Sequence, residues 1–247
     1  MAGHSKWANI KHRKGAQDKR RGKLFTRLLK EIMIAAKEGL PDPDANPRLR
    51  LAIQNAKGAN IPKDNISRAI DKASGKEAES YIEPTYEGYA PGGVAVFVEC
   101  ATDNLNRTVQ DVRMVFNKYG GNLGTNGSLA FVFDRMGVFE FSDTGIDEEQ
   151  FTLEMIDANA SEIEHEEGRY LVYVPYESFG DMQKKLESLG IEAESAGLQR
   201  IPKDTITLEL IQAGKVMKLI DALEDLDDVQ QVYHNLELTE ELASQLT

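Results

Sequence analysis

The chain has 247 residues, 41% apolar and 28% charged, a length that suits one large domain or two to three small ones. No run approaches the roughly eighteen apolar residues that would cross a bilayer, and the basic N-terminus lacks the apolar core of a secretory signal. A single cysteine, Cys100, excludes an internal disulfide framework and any multi-cysteine zinc site.

The formal net charge of −12 conceals a division along the chain. Residues 1–76 hold 18 Lys and Arg against 7 Asp and Glu, a net of +11; the remaining residues hold 11 against 34, a net of −23. Within residues 1–30 ten basic residues face one acid, Asp18. Such asymmetry marks a segment that meets polyanions.

Residues 1–22 are polar, basic and punctuated by Gly3, Gly15 and Gly22, which predicts an arm without an apolar face. Helical periodicity then starts with Leu24, Phe25, Leu28, Leu29, Ile32 and Ala36, and Gly39 with Pro41 closes it. Asn46-Pro47 opens a second helix in the N-cap and N1 arrangement, because proline's missing N–H is not needed there. A third helix starts near Pro62 and places Ile66, Ala69, Ile70 and Ala73 on one side. The result is a small three-helix bundle.

From residue 92 the period changes. Residues 94–101 read as a buried strand holding Cys100 as a structural thiol, 106–119 as a helix capped by Asn104 or Asp103, and 128–134 as a strand. A strand at 137–142, helix 147–158, strands 161–166 and 169–174, helix 178–188 and strand 191–201 then follow the βαββαβ order of a ferredoxin-like unit. Strand 205–210, helix 211–225 and strand 228–234 supply a βαβ that pairs with that of 94–134. The expected fold class is therefore α+β, an N-terminal helical bundle plus two ferredoxin-like units with one inserted in the other. The expected domains are 1–78 (basic arm and bundle), 79–134 plus 203–247 (split), and 135–202 (inserted). Two units in tandem are the simpler rival.

The glycine-rich stretch 120–127 lacks the Gly-Lys-Ser/Thr ending of a phosphate-binding loop and precedes a strand, so it reads as a helix-to-strand connection. Residues 87–93 read as a tight turn before a buried strand. The carboxylates Glu162, Glu164, Glu166 and Glu167, and the run Glu224, Asp225, Asp227, Asp228, read as solvated acids. The histidines His4, His12, His165 and His234 have no metal-ligand spacing, and no nucleophile elbow is present. No catalytic residue, metal or cofactor is expected.

The candidate site is a nucleic-acid contact formed by Lys6, Trp7, Lys11, His12, Arg13, Lys14, Lys19, Arg20, Arg21, Lys23 and Arg27. Cations neutralise phosphates and release counterions, and an aromatic face can stack a base. Trp7 serves equally well as a dock for the arm. Arg48, Arg50, Lys57, Lys63 and Arg68 extend the positive face.

The blocks 1–32, 42–53, PKDNISRAI (62–70), YEGYAPGGVAVFVEC (86–100), NRTVQDVR (106–113), KYGGNLGTNGS (118–128) and VYHNLEL (232–238) closely resemble the YebC family of probable transcriptional regulators. The resemblance spans nearly the whole chain. It implies a cytoplasmic bacterial protein with one helical and two α+β domains, which regulates gene expression by binding DNA without being an enzyme. Some relatives, including a mitochondrial translational activator, look like ribosome-associated factors that help translation through stretches such as consecutive prolines. The partner is then ribosomal RNA or the ribosome rather than DNA. Ala90 and Leu105 stand where the family's blocks carry Gly and Arg.

Overall fold

The computed structural model describes residues 21–75, 80–142, 147–166, 168–239 and 242. Three helices come first, α1 (Arg21–Glu38), α2 (Pro47–Gly58) and α3 (Lys63–Ala73). They bury Ile32, Ala35, Ala36, Leu49, Ala52, Ala56, Ile66, Ala69 and Ala73 in one core. Buried Asn46 fixes the first connection. Its Oδ1 accepts from Leu49 N (3.1 Å) as the N-cap of α2, while its Nδ2 donates to the carbonyls of Ala35 (2.7 Å) and Leu40 (2.8 Å). One side chain thus satisfies the start of one helix and the end of another.

Strands β1 (Thr85–Tyr89) and β2 (Ala95–Cys100) follow, then α4 (Leu105–Lys118) and the short β3 (Asn122–Leu123). The chain continues through β4 (Phe133–Ser142), α5 (Glu148–Asp157), β5 (Glu162–Glu166), β6 (Arg169–Pro175), α6 (Phe179–Leu189) and β7 (Ser195–Pro202). It ends with α7 (Leu210–Glu224) and β8 (Val229–His234). One sheet has the order β3-β1-β2-β8 and the other β5-β6-β4-β7.

The second order is that of a ferredoxin-like unit, with Phe139, Phe141, Phe151, Met155, Val172, Val174, Met182 and Leu186 packed between its strands and α5 and α6. The first sheet has the same spatial plan, but the strand between β2 and β3 is β1, which precedes both in the chain. Helices α4 and α7 cover one face of that sheet over Val96, Val98, Cys100, Val112, Phe116, Met217, Leu219 and Val232. The described residues divide into two compact units, one built on 80–134 and 201–239, the other on 24–75 and 135–200.

Within the second unit α2 is keyed to the strand that ends the ferredoxin-like order. Asn55 exchanges two hydrogen bonds with the backbone of Ala196 (2.8 and 2.9 Å), and Gln54 donates to Ala193 O (3.0 Å). A Cβ at Gly58 would sit 1.9 Å from Glu194 O, so only glycine allows this approach.

Two segments differ from the sequence reading. Residues 126–132 form turns rather than a strand, because the carboxylate of Glu87 takes their amides; Gly127 N (2.8 Å) and Leu129 N (2.6 Å) both donate to it. Residues 205–210 contribute only a single bridge, Ile206 to Leu236. The missing strand is β1, in which Gly88 meets Asn122 O and the Phe116 ring so closely that a Cβ would lie 2.6–2.7 Å from both. Gly88, which the sequence places in a tight turn, is needed instead for close packing within a strand.

Candidate nucleic-acid interface

Of the eleven candidate contact residues, Lys6, Trp7, Lys11, His12, Arg13, Lys14, Lys19 and Arg20 lie outside the described residues. Arg21, Lys23 and Arg27 occupy the first two turns of α1, with Arg21 exposed and the other two half-buried. No acid lies among the first described residues of that helix. Lys23 Nζ donates to Asp225 O (2.5 Å) and pairs with its carboxylate (3.2 Å), and Arg21 and Arg27 are also engaged.

The extended positive face is partly neutralised. Arg48 forks onto Glu31 (2.8 Å) and Glu38 (2.6 Å). Arg50 binds the carbonyls of Pro43 and Asp44 and pairs with Glu187 (3.3 Å), and Arg68 is held by Asp64 O and Asn65. These arginines order the bundle and seat it within its unit. Lys57 and Lys63 are exposed.

The acids after residue 135 are not uniformly solvated, which corrects the sequence reading. Glu224 is 6% exposed and Asp228 9%. Asp228 accepts from Arg107 Nε (3.1 Å), Arg107 Nη2 (2.9 Å) and Thr108 Oγ1 (2.8 Å). Burial pushes its carboxyl up, yet the hydrogen bonds from Thr108, Arg107 and Thr102 prevail and hold it below the usual carboxylate range. Its hydrogen bonds to Asp228 and then to Asp103 raise the Arg107 guanidinium further. Arg107, Thr108, Asp111, Asp225, Leu226, Asp227 and Asp228 line an open cavity of about 430 Å³. The sequence signal was the NRT triplet at 106–108, where a cation and a hydroxyl sit side by side one turn into a helix capped by Asn104.

Among the described residues no group of three or more His, Cys, Asp or Glu is arranged to hold a metal ion, and no helix is long and apolar enough to cross a membrane. The Cys100 thiol is buried in the first core.

Two family models cover almost the whole chain, the TACO1/YebC protein N-terminal domain over residues 5–76 and the TACO1/YebC second and third domain over residues 81–236. The chain belongs to the TACO1/YebC family. Similar full-length proteins are named probable transcriptional regulatory proteins. One from Amoebophilus asiaticus is 55% identical over 96% of this chain and 98% of its own, and one from Pseudomonas fluorescens is 50% identical over the whole of both. The crystal structure of a conserved hypothetical protein from Aquifex aeolicus superposes with a TM-score of 0.80 at 44% identity, covering 90% of this TACO1/YebC chain and 93% of its own.

Proposed function

We propose that this TACO1/YebC protein is a non-enzymatic regulator of gene expression in the cytoplasm that contacts nucleic acid through its basic N-terminal region. The observation that carries this reading is the division of charge, +11 over residues 1–76 against −23 over the rest. An acidic protein that concentrates its cations at one end gains a local field there that attracts a polyanion. The regulatory names of its relatives support the same class.

Phosphate contacts position a protein without reading sequence, so the arm supplies affinity with little selectivity. The test is to measure binding of the full chain to duplex DNA and to ribosomal RNA across a salt series. With four to six of its cations on phosphates, the N-terminal region should contribute about −4 to −5 to the slope of log affinity against log salt on duplex. Reversing Lys19, Arg20 and Arg21 to Glu should weaken all sequences alike and flatten the slope. A salt-insensitive interaction, or full affinity in the reversed variant, would refute the reading. A Trp7→Ala loss confined to single-stranded or looped RNA would point to base stacking and to a ribosomal target.

A further inference from the structure

Six cations lie in the described part of the split unit, residues 80–134 and 201–239. Two are committed, Arg107 to Asp103 and Asp228, and Lys203 to Asp134. The other four are Arg113, Lys118, Lys215 and Lys218. All are exposed, all stand on α4 or α7, and none forms an ion pair among the described residues.

The fold brings these four onto one layer. Helices α4 and α7 pack beside each other over the same core. The end of α4 and the start of α7 meet through the turn Pro91–Gly93. A Cβ at Gly120 would sit 3.7 Å from Pro91 Cγ, and one at Gly92 would meet Leu208 and Gln212 at 2.8–2.9 Å. On α7, Ile211, Lys215 and Lys218 recur at the four- and three-residue steps that share a helix face; on α4, Met114 and Lys118 do the same. Ile211 is 81% exposed and Met114 57%. The acids Asp103, Asp225, Asp227 and Asp228 gather instead where α4 begins and α7 ends, around the Arg107 cavity. The unit as a whole is acidic, and Asp111, Asp221 and, just before α7, Glu209 share these helices with the four cations, of which Lys118 lies over the Tyr119 ring and none forms an ion pair among the described residues.

We infer that the outer face of α4 and α7, through Arg113, Lys118, Lys215 and Lys218, is a second contact surface for the backbone of a nucleic acid. This inference rests on the nucleic-acid reading of the N-terminal region but concerns different residues in a different part of the chain. Cations carried on two helices have their backbone already ordered when they meet phosphates. Exposed Ile211 and Met114 between them cover sugar edges that a purely charged surface leaves wet. A charged face of this kind tracks a backbone and leaves sequence unread.

The experiment uses the full chain with Arg113, Lys118, Lys215 and Lys218 all changed to Gln, which keeps helix propensity. Binding to a random-sequence duplex DNA and to a ribosomal RNA hairpin is measured across salt, beside wild type and the Lys19, Arg20, Arg21 reversal. The slope of log affinity against log salt should become shallower by about 2–4 on the duplex, with the melting temperature unchanged. In parallel, lysine acetylation followed by mass spectrometry should show Lys118, Lys215 and Lys218 protected by bound DNA. A wild-type slope in the quadruple variant, with the arm variant flattened, would overturn this inference alone and leave the face to an acidic protein. Equal acetylation with and without DNA would also overturn it. Salt-independent binding by the wild-type chain would overturn both this inference and the arm reading.

Discussion

Changing Asp228 to Asn tests whether the buried carboxylate at the junction of α4 and β8 is a structural keystone of the split unit. The carboxylate accepts four hydrogen bonds at 2.8–3.1 Å from Arg107 and Thr108, and the backbone carbonyl of Asp228 accepts from Ala101 N at 2.8 Å. An amide retains one acceptor oxygen and presents an NH₂ group to donors, so at least one charge-assisted bond is lost and one donor faces another. Such bonds are worth about 1.5–3 kcal/mol each. The Arg107 side chain is 46% exposed and can rehydrate, which limits the loss to about 2–3 kcal/mol rather than the cost of a fully buried broken pair. If the chain melts as one unit, that is a fall in Tm of about 4–12 °C by circular dichroism. The pH dependence sharpens the test. The folded carboxyl lies below its unfolded value of about 3.9, so its contribution is complete above about pH 5 and is lost as pH falls through the folded pKa. The gap between wild type and the Asn variant should therefore be constant from pH 7 to about 5 and close below about 4. A variant as stable as wild type at pH 7, or a gap that widens on acidification, would refute this account.

Gly58→Ala should destabilise the second unit by at least about 2 kcal/mol in urea melts, since the added carbon meets a backbone carbonyl at 1.9 Å, whereas Gly93→Ala meets open space and feels only its positive φ of 79°. Replacing residues 135–200 by a short flexible linker should leave a cooperative melt for the split unit, because Lys203 N already bonds Val132 O at 3.0 Å and the crossing points are adjacent. Loss of cooperativity in that variant would instead favour an arrangement in which 135–200 completes the first core.

The helices were legible because their ends carry local chemistry. Asn46-Pro47 and Asn104 are caps whose side chains bond Leu49 N and Arg107 N, and that information lies within four residues. Strand β1 was not legible, since Gly88 is required by Phe116 and Asn122, residues it meets only after α4 has formed. The apolar run at 128–134 has the composition of a strand, and what removes it from the ladder is a carboxylate forty residues earlier. Charge was legible as a sum and not as pairing. Arg48 and Arg50 add to a positive face in the sequence, yet the fold brings Glu31, Glu38 and Glu187 to them, while Lys215 and Lys218 are outnumbered by acids in their half of the chain.

The permuted order of the first sheet sets a schedule for synthesis. Strand β2 pairs with β1 as a local hairpin, but its other edge belongs to β8, and the 128 residues from Ala101 to Asp228 lie between. At about 5–20 residues per second that edge waits roughly 6–25 s after β2 is made. The segment AVFVEC, apolar and almost without charge, is what an unpaired edge should not display to neighbouring chains. A nascent chain stalled between α5 and α7 would hold a hairpin with one sticky side, and chaperone capture or co-aggregation of truncated products should peak in that interval.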